Sequence, residues 1–196
     1  MHQPQDWSRR GDGPRRRLIV SLGTPTLRQA VASDAASVRV LVRAAYAKWV
    51  PLIGREPKPM GADYEAAVAR HRVDLTYLGG ELAALIETIP CSDHLLVENV
   101  AVAPAFQGRG LGRFLMAHAE RLAVEQGQAE IRLYTNQRFA ENIRLYLALG
   151  YGIDREEQSA LGVTIYMSKA VRASAGDQPQ DRCRRGDGTR DSVTCK

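Results

Sequence analysis

Cysteine is scarce and scattered in this chain. Cys91, Cys183 and Cys195 are the three in 196 residues, and no Cys-x-x-Cys pair occurs. An odd count at such spacings argues against a disulfide framework and against a zinc site, so no metal is expected, and it suits a reducing cytosol. Long apolar runs are missing as well. Leu18-Ile19-Val20 is the longest near the N-terminus, inside a patch that stops at Gly23. It follows Arg15-Arg16-Arg17, but it is too short for a secretory h-region and far too short to cross a bilayer. The expectation is a cytoplasmic protein with no membrane partner.

Net charge is missing from the middle of the chain. The total is +5, but residues 1–24 hold five arginines against Asp6 and Asp12, and residues 172–196 hold five arginines and Lys196 against four aspartates. Residues 25–171 balance 16 basic against 16 acidic side chains. A nucleic-acid-binding domain carries its basic patch on the folded part, so nucleic acid is not the expected partner. Both flanks are rich in Arg, Gly and Gln without hydrophobic period, and both contain Arg-Arg-Gly-Asp-Gly, at 9–13 and 184–188. Such segments bury too little apolar surface to order themselves. The expected organisation is a disordered basic tail over 1–24, one domain over 25–171 and a disordered tail over 172–196.

Within 25–171 the hydrophobic period changes repeatedly. Thr26–Val31 reads as a strand. Ser33 is placed to cap a helix in which Val38, Leu41, Val42, Ala45 and Trp49 recur at helical spacing. Pro51, Pro57 and Pro59 then predict a loop, and Asp63 a capped helix to about Arg72. Val73–Leu78 and Leu82–Ile89 read as a hairpin around Gly79-Gly80. His94–Val102 is almost continuously apolar, which predicts a central strand covered on both faces. A long helix over Gly110–Gln126, a strand over Ile131–Thr135, a helix over Phe139–Leu149 stopped by Gly150, and strands over Tyr151–Glu156 and Val163–Lys169 complete the series. The expected fold class is α/β: a mixed sheet with helices on both faces.

The segment Val100-Ala101-Val102-Ala103-Pro104-Ala105-Phe106-Gln107-Gly108-Arg109-Gly110-Leu111-Gly112 carries the strongest local signal. A central strand ends, Pro104 stops it, a glycine-rich turn follows and a long helix begins. A helix start leaves several backbone N–H groups unpaired at the positive end of the dipole. Glycines there let those donors approach a bulky anion, which makes a pyrophosphate cradle built of backbone. Arg109 and Arg113 add charge. A P-loop is excluded because no Gly-Lys-Ser/Thr precedes the helix. The dinucleotide fingerprint is excluded because Gly112 follows Gly110 by two residues rather than three. A tight strand-to-helix turn without a ligand is the plain alternative.

These residues resemble the GNAT superfamily of N-acetyltransferases. Its core motif, Val-x-x-x-x-Gln/Arg-Gly-x-Gly-x-Gly/Ala after an apolar strand, is matched from Val102 through Gln107-Gly108-Arg109-Gly110-Leu111-Gly112. A second stretch, Asn142-Ile143-Arg144-Leu145-Tyr146-Leu147-Ala148-Leu149-Gly150-Tyr151, is similar to the family's helix ending Leu-Tyr-x-x-x-Gly-Phe/Tyr. The likeness covers about residues 26–170. One position departs: many members carry Asn seven residues before the helix tyrosine, where this chain has Phe139, so Asn142 becomes the nearer candidate for the coenzyme arm. The resemblance implies the acyl-CoA N-acyltransferase fold, with a mostly antiparallel sheet, and an acetyl-CoA site without a metal. The pyrophosphate would lie on the amides of Gln107–Arg113, and the pantetheine arm would pair with backbone at Val100, Ala101 and Val102 like an added strand. A homodimer is common in such families and stays open here.

Moving acetyl from a thioester to an amine requires that the amine lose a proton, that the oxyanion meet a donor, and that the leaving thiolate be protonated or hydrogen-bonded. Tyr146, four residues after Asn142 and so on the same helix face, fits the last demand; a core tyrosine is the alternative. Glu98 interrupts the apolar strand Leu95–Val102 and fits the first. A structural glutamate, or one that only attracts a cationic acceptor, is the alternative. Alternation would put Glu98 on the face of Val100 and Val102. A strand amide near Val100 would serve the oxyanion if the strand bulges there. Cys91 lies in a Pro-Cys-Ser-Asp loop with no evident activating base; His94 is close in sequence, but both residues read as incidental. By resemblance, Tyr46, Trp49 and Pro51–Met60, with the last hairpin, are candidates for the acceptor pocket, and Tyr134 and Asn136 stand beside the coenzyme strand. Two functions follow from the resemblance: an acetyltransferase acting on a primary amine, or a catalytically weak acetyl-CoA-binding regulatory module.

Overall fold

The computed structural model describes residues 23–171, so the two expected tails, but for Gly23 and Thr24, lie outside the described residues. Seven strands form one sheet: β1 (Thr26–Gln29), β2 (Arg72–Leu78), β3 (Glu81–Pro90), β4 (Leu95–Val102), β5 (Glu130–Asn136), β6 (Gly152–Ser159) and β7 (Gly162–Ala170). Their order is β1-β2-β3-β4-β5-β7-β6, with β4 and β5 parallel and every other pair antiparallel. Five α-helices join them: α1 (Ala35–Tyr46), α2 (Val50–Ile53), α3 (Tyr64–Arg70), α4 (Leu111–Glu125) and α5 (Ala140–Ala148). No described helix is long and apolar enough to cross a membrane.

The helical stripes explain the layers. Leu111, Leu115, Met116, Ala119 and Leu122 of α4 pack with Ile86, Leu95, Val97, Ile131 and Met167 on one face of the sheet, and Tyr146 of α5 joins them. Val38, Leu41, Val42 and Ala45 of α1, with Tyr64 and Ala67 of α3, cover Val73, Leu75, Leu85 and Ala101 on the other. Burying a Leu or Val side chain contributes roughly 1.5–3 kcal/mol, so these two clusters hold the layers together.

Local signals hold in some places and shift in others. Gly79 and Gly80 both take positive φ (63° and 85°), as a two-residue hairpin turn requires. Asp63 caps α3, its Oδ1 accepting from the Ala66 amide at 3.0 Å. Ser33 does not cap α1. A short 3-10 turn, Ala32–Asp34, precedes the helix, and Asp34 Oδ2 accepts from the Val31 amide at 2.8 Å instead. Pro51 does not break the chain into loop, because it falls in the first turn of α2, where its missing N–H costs nothing. Strand β4 is central, as expected, but it is not covered evenly on both faces. Leu95, Val97, Asn99 and Ala101 are buried, while Leu96, Glu98, Val100 and Val102 are half-buried. The half-buried set reflects a gap in the sheet. Pairing of β4 with β5 stops at Val97↔Leu133, although β5 runs on to Asn136 against β7.

Candidate active site

The glycine-rich turn is shaped by two left-handed residues. Gly108 (φ 74°) and Gly110 (φ 82°) adopt a conformation that costs other residues roughly 1–2 kcal/mol. A Cβ added at either would meet nothing within 4 Å, so the space above this backbone is open. Among the described residues, no protein group accepts from the amides of Gly108 through Arg113. They stand at the N-terminus of a 15-residue helix, where the dipole favours an anion. This donor set fits a diphosphate. The amide of Gln107, expected in the set, is engaged by the Pro104 carbonyl at 3.3 Å. Its side-chain Nε2 donates to the Val102 carbonyl at 2.9 Å and so fastens the turn to the end of β4. Gly112 serves another purpose: a Cβ there would lie 3.1 Å from Leu145 Cδ2, so its missing side chain lets α4 and α5 approach. The Arg109 guanidinium lies 5.4 Å from the Phe106 ring centroid, and neither Arg109 nor Arg113 lines the cleft beneath the turn.

Strand β4 bulges where it leaves β5. Its register against β3 passes from Glu87↔Asn99 to Thr88↔Val97, which leaves Glu98 as the extra residue. A bulge interrupts strict alternation and bends the strand. Glu98 is therefore not in phase with Val100 and Val102, contrary to the alternation reading. Those two valines pack toward the α4 cluster, whereas Glu98 Oε1 accepts from the Tyr134 hydroxyl at 2.5 Å.

Two cavities meet at this bend. The smaller, about 200 Å³, runs along Val100, Ala101 and Val102 to Gln107, Gly108, Gly110, Leu111 and Gly112. The larger, about 490 Å³, contains Glu87, Glu98, Asn99 and Tyr134. Tyr46, Val100, Asn142 and Tyr146 line both. Tyr146 is 7% exposed and buried deeply enough that its phenol is pushed up to about 12. Phe139, at the family's asparagine position, stacks on Trp49 with centroids 4.5 Å apart and meets Tyr46 edge-on. An apolar contact between α5 and the segment after α1 thus replaces a polar side chain.

That segment, residues 47–61, crosses the larger cavity and is fastened at several points. Arg138 Nη1 donates to the Leu52 carbonyl at 2.7 Å, and Arg55 Nη2 to the Leu161 carbonyl at 2.9 Å. Lys48 pairs with Glu141 at 2.5 Å. A buried chain of hydrogen bonds runs beneath it: Tyr46 hydroxyl to Asn99 Oδ1 (2.9 Å), Asn99 Nδ2 to the Tyr64 hydroxyl (3.2 Å), and that hydroxyl to the Pro59 carbonyl (2.7 Å). Burial holds the phenols of Tyr46 and Tyr64 well above their ordinary range, so both act as neutral donors.

With this geometry in view, comparison with known proteins is decisive at the level of family. The pattern of the acetyltransferase (GNAT) family matches residues 41–151, more than half the chain. The chain belongs to that family. Streptothricin acetyltransferase of Streptomyces lavendulae is 31% identical over 108 residues, 52% of this chain and 57% of that protein; the match therefore spans little more than half of the relative's length. Among solved structures, PaiA N-acetyltransferase of Thermoplasma acidophilum, in complex with coenzyme A, superposes with a TM-score of 0.64 at 15% identity over 76% of this chain and 99% of that one. The ribosomal-protein-S18-alanine N-acetyltransferase of Escherichia coli gives 0.60 at 20% identity, covering 80% and 99%. At such identities these two structures establish the fold alone. In this chain that acyl-CoA N-acyltransferase fold sets α4 and α5 on one face of the sheet and α1 and α3 on the other.

The GNAT core accounts for most residues picked out in the sequence. Tyr46, Ile53, Arg55, Pro57, Lys58, Pro59, Tyr134 and Asn136 line the larger cavity, together with Leu161 and Tyr166 of the last hairpin; Trp49 lines the smaller. Met60 is buried elsewhere in the segment. Cys91 and His94 line neither cavity, and the His94 ring pairs with Asp93 at 2.7 Å. Several groups in the larger cavity were not anticipated, among them Asn99, Tyr64, Glu87 and His71. Glu87 is 5% exposed, and its Oε1 lies 2.6 Å from His71 Nδ1. Burial pushes its carboxyl above the ordinary range. The signal was available, because Glu87 breaks the apolar run Leu82–Ile89 as Glu98 breaks Leu95–Val102. His71 carried no such signal, since it lies between α3 and β2 outside any period.

Proposed function

We propose that the protein is an acetyltransferase that moves acetyl from acetyl-CoA to a primary amine by direct attack within a ternary complex. The observation that carries this is the meeting of two cavities at Tyr46, Val100, Asn142 and Tyr146. One cavity leads to unpaired amides suited to a diphosphate, and the other is lined by carboxylates suited to an amine. When bound, acetyl-CoA supplies the activated thioester; everything else is done by this chain. The amides of Gly108–Arg113 hold the diphosphate, and the edge of β4 at Val100–Val102, which β5 leaves free, aligns the arm. Asn142 faces the same arm. Glu98 takes the proton of the incoming ammonium, directly or through water. An amide at the bulge, near Val100, donates to the oxyanion. The Tyr146 phenol, kept protonated by burial, donates to the departing sulfur. The cysteine inventory, three residues with no Cys-x-x-Cys pair, supports a cytoplasmic setting for this chemistry.

The test is acetyl-CoA-dependent thiol release over a panel of amines that includes streptothricin, alongside calorimetry of coenzyme A binding. Turnover with at least one amine, weakened in Tyr146→Phe, supports the reading. Coenzyme binding without turnover on any amine would favour the regulatory module, and no coenzyme binding would overturn both.

A further inference from the structure

We propose that Glu87, oriented by His71, docks a second, non-reacting ammonium group of the acceptor, so that the acceptor is a diamine or longer polyamine. This rests on the acyl-transfer reading of the same cavity and goes beyond it by naming the acceptor's chemistry.

Glu87 lies directly across the β3–β4 ladder from Asn99, beside the bulge that carries Glu98. Cross-strand neighbours are about 5 Å apart, so two carboxylates share one wall. Neither has a permanent cation. Glu98 takes a hydroxyl from Tyr134, and Glu87 lies against the His71 ring rather than a lysine or an arginine. Other carboxylates of this chain differ: Asp34 has Arg28, Glu56 has Arg43, Asp74 has Arg72 and Glu120 has Lys169. Of the cations lining the cavity, Arg55 is turned to the backbone carbonyls of Leu161 and Glu56, and Lys58 and Arg70 are exposed at the rim. Burying a carboxylate without a cation is unfavourable. Burial pushes the Glu87 carboxyl above its usual range; the His71 ring offsets part of this, and the nearby charge of Glu98 adds to it. A glutamate needed for structure alone would be better served by an arginine. A ligand ammonium relieves the cost, and a monoamine relieves it at one carboxylate only. The cavity of about 490 Å³ has room for a chain that reaches both.

The test uses the full-length chain and compares unbranched diamines with monoamines of matched length in acetyl-CoA-dependent thiol release. The best diamine is expected to exceed its monoamine in kcat/KM by about 10- to 100-fold, the range of a charge-assisted hydrogen bond in a buried site. Glu87→Gln brings that ratio to about threefold or less, while Glu87→Asp, which keeps the charge, retains most of it. A ratio near one in the unmodified protein, or a ratio untouched by Glu87→Gln, overturns the proposal. Should Glu87→Gln not fold, the unmodified protein and Glu87→Asp decide it by the same ratio. Should no amine turn over, the acyl-transfer reading fails separately. Calorimetry of the diamines on coenzyme-loaded protein then decides this one: binding that Glu87→Gln weakens about tenfold supports it, and absent or unchanged binding overturns it.

Discussion

The Tyr134 hydroxyl donates to Glu98 Oε1 across 2.5 Å and so ties β5 to the bulge of β4 just where the two strands stop pairing. If Glu98 is the base, Glu98→Gln lowers kcat by about 10²–10⁴-fold, as expected for a lost general base, with coenzyme affinity unchanged. Tyr134→Phe keeps the carboxylate and frees its orientation, so its loss should be about tenfold or less, the net worth of an ordinary hydrogen bond. Steady-state kinetics and calorimetry on both variants check this. A Tyr134→Phe variant as inactive as Glu98→Gln would move the central role to the phenol.

Tyr146 stands where the cavities join, and its phenol, raised to about 12 by burial, stays protonated across ordinary assay conditions. No kinetic limb from Tyr146 should therefore appear below about pH 11 if the phenol titrates near that value. Tyr146→Phe should reduce kcat by about 10- to 100-fold through loss of a donor to the leaving sulfur. The fold should tolerate the change, since the hydroxyl has no protein partner among the described residues. A pH–rate profile with matched thermal melts separates the two effects.

Two glycines of one motif should fail differently. Gly110→Ala forces a side chain into φ 82°, at a cost of roughly 1–2 kcal/mol. It also sets a methyl group over the open amides, so coenzyme affinity should fall about tenfold or more, the worth of one charge-assisted hydrogen bond. Gly112→Ala meets Leu145 Cδ2 at 3.1 Å while gaining helix propensity, two opposed terms of about 1 kcal/mol each. Its stability should change little and its coenzyme affinity not at all. Calorimetry and denaturant midpoints distinguish the two variants.

Where α4 meets β2, Asp74 is buried with Arg72 Nε at 2.8 Å and His118 Nε2 at 3.0 Å. Burial would raise its carboxyl, but the hydrogen bonds from His118 and Arg72 outweigh it and leave the group below its ordinary range. A carboxyl lowered on folding stabilises the protein fully above the unfolded value, near 3.9, and that contribution is lost as the pH falls through the folded value. Asp74→Asn should cost about 3 kcal/mol near neutral pH, with the gap to the unmodified protein narrowing on acidification below about pH 4. Urea midpoints measured as a function of pH give both numbers.

Elements built on local signals were legible in advance. The Gly79-Gly80 turn, the Asp63 cap, the stripe of α4 and the glycine turn after Pro104 each depend on residues within a few positions of one another, where period and backbone freedom act directly. Ser33 and Pro51 were local signals too, displaced by a 3-10 turn and a short helix, but the misreadings on β4 have the opposite cause. Even coverage of β4 was expected from its apolar run, but the gap beside it arises because β5 turns toward β7. The face assigned to Glu98 failed because a bulge against β3 breaks the alternation.

The order of residues alone pointed to a glycine-shaped turn of free amides after Pro104, to a helix bearing Tyr146, and to a resemblance that the match to the GNAT family bears out. Which side chains share a cavity was settled by packing across long separations. Tyr46 reaches Asn99 over 53 positions, Tyr134 reaches Glu98 over 36, and His71 reaches Glu87 over 16. A period reports which face of an element is apolar; it carries no information about which other element will lie against the polar groups left over. That meeting is created when the strands pair and the segment after α1 packs over them.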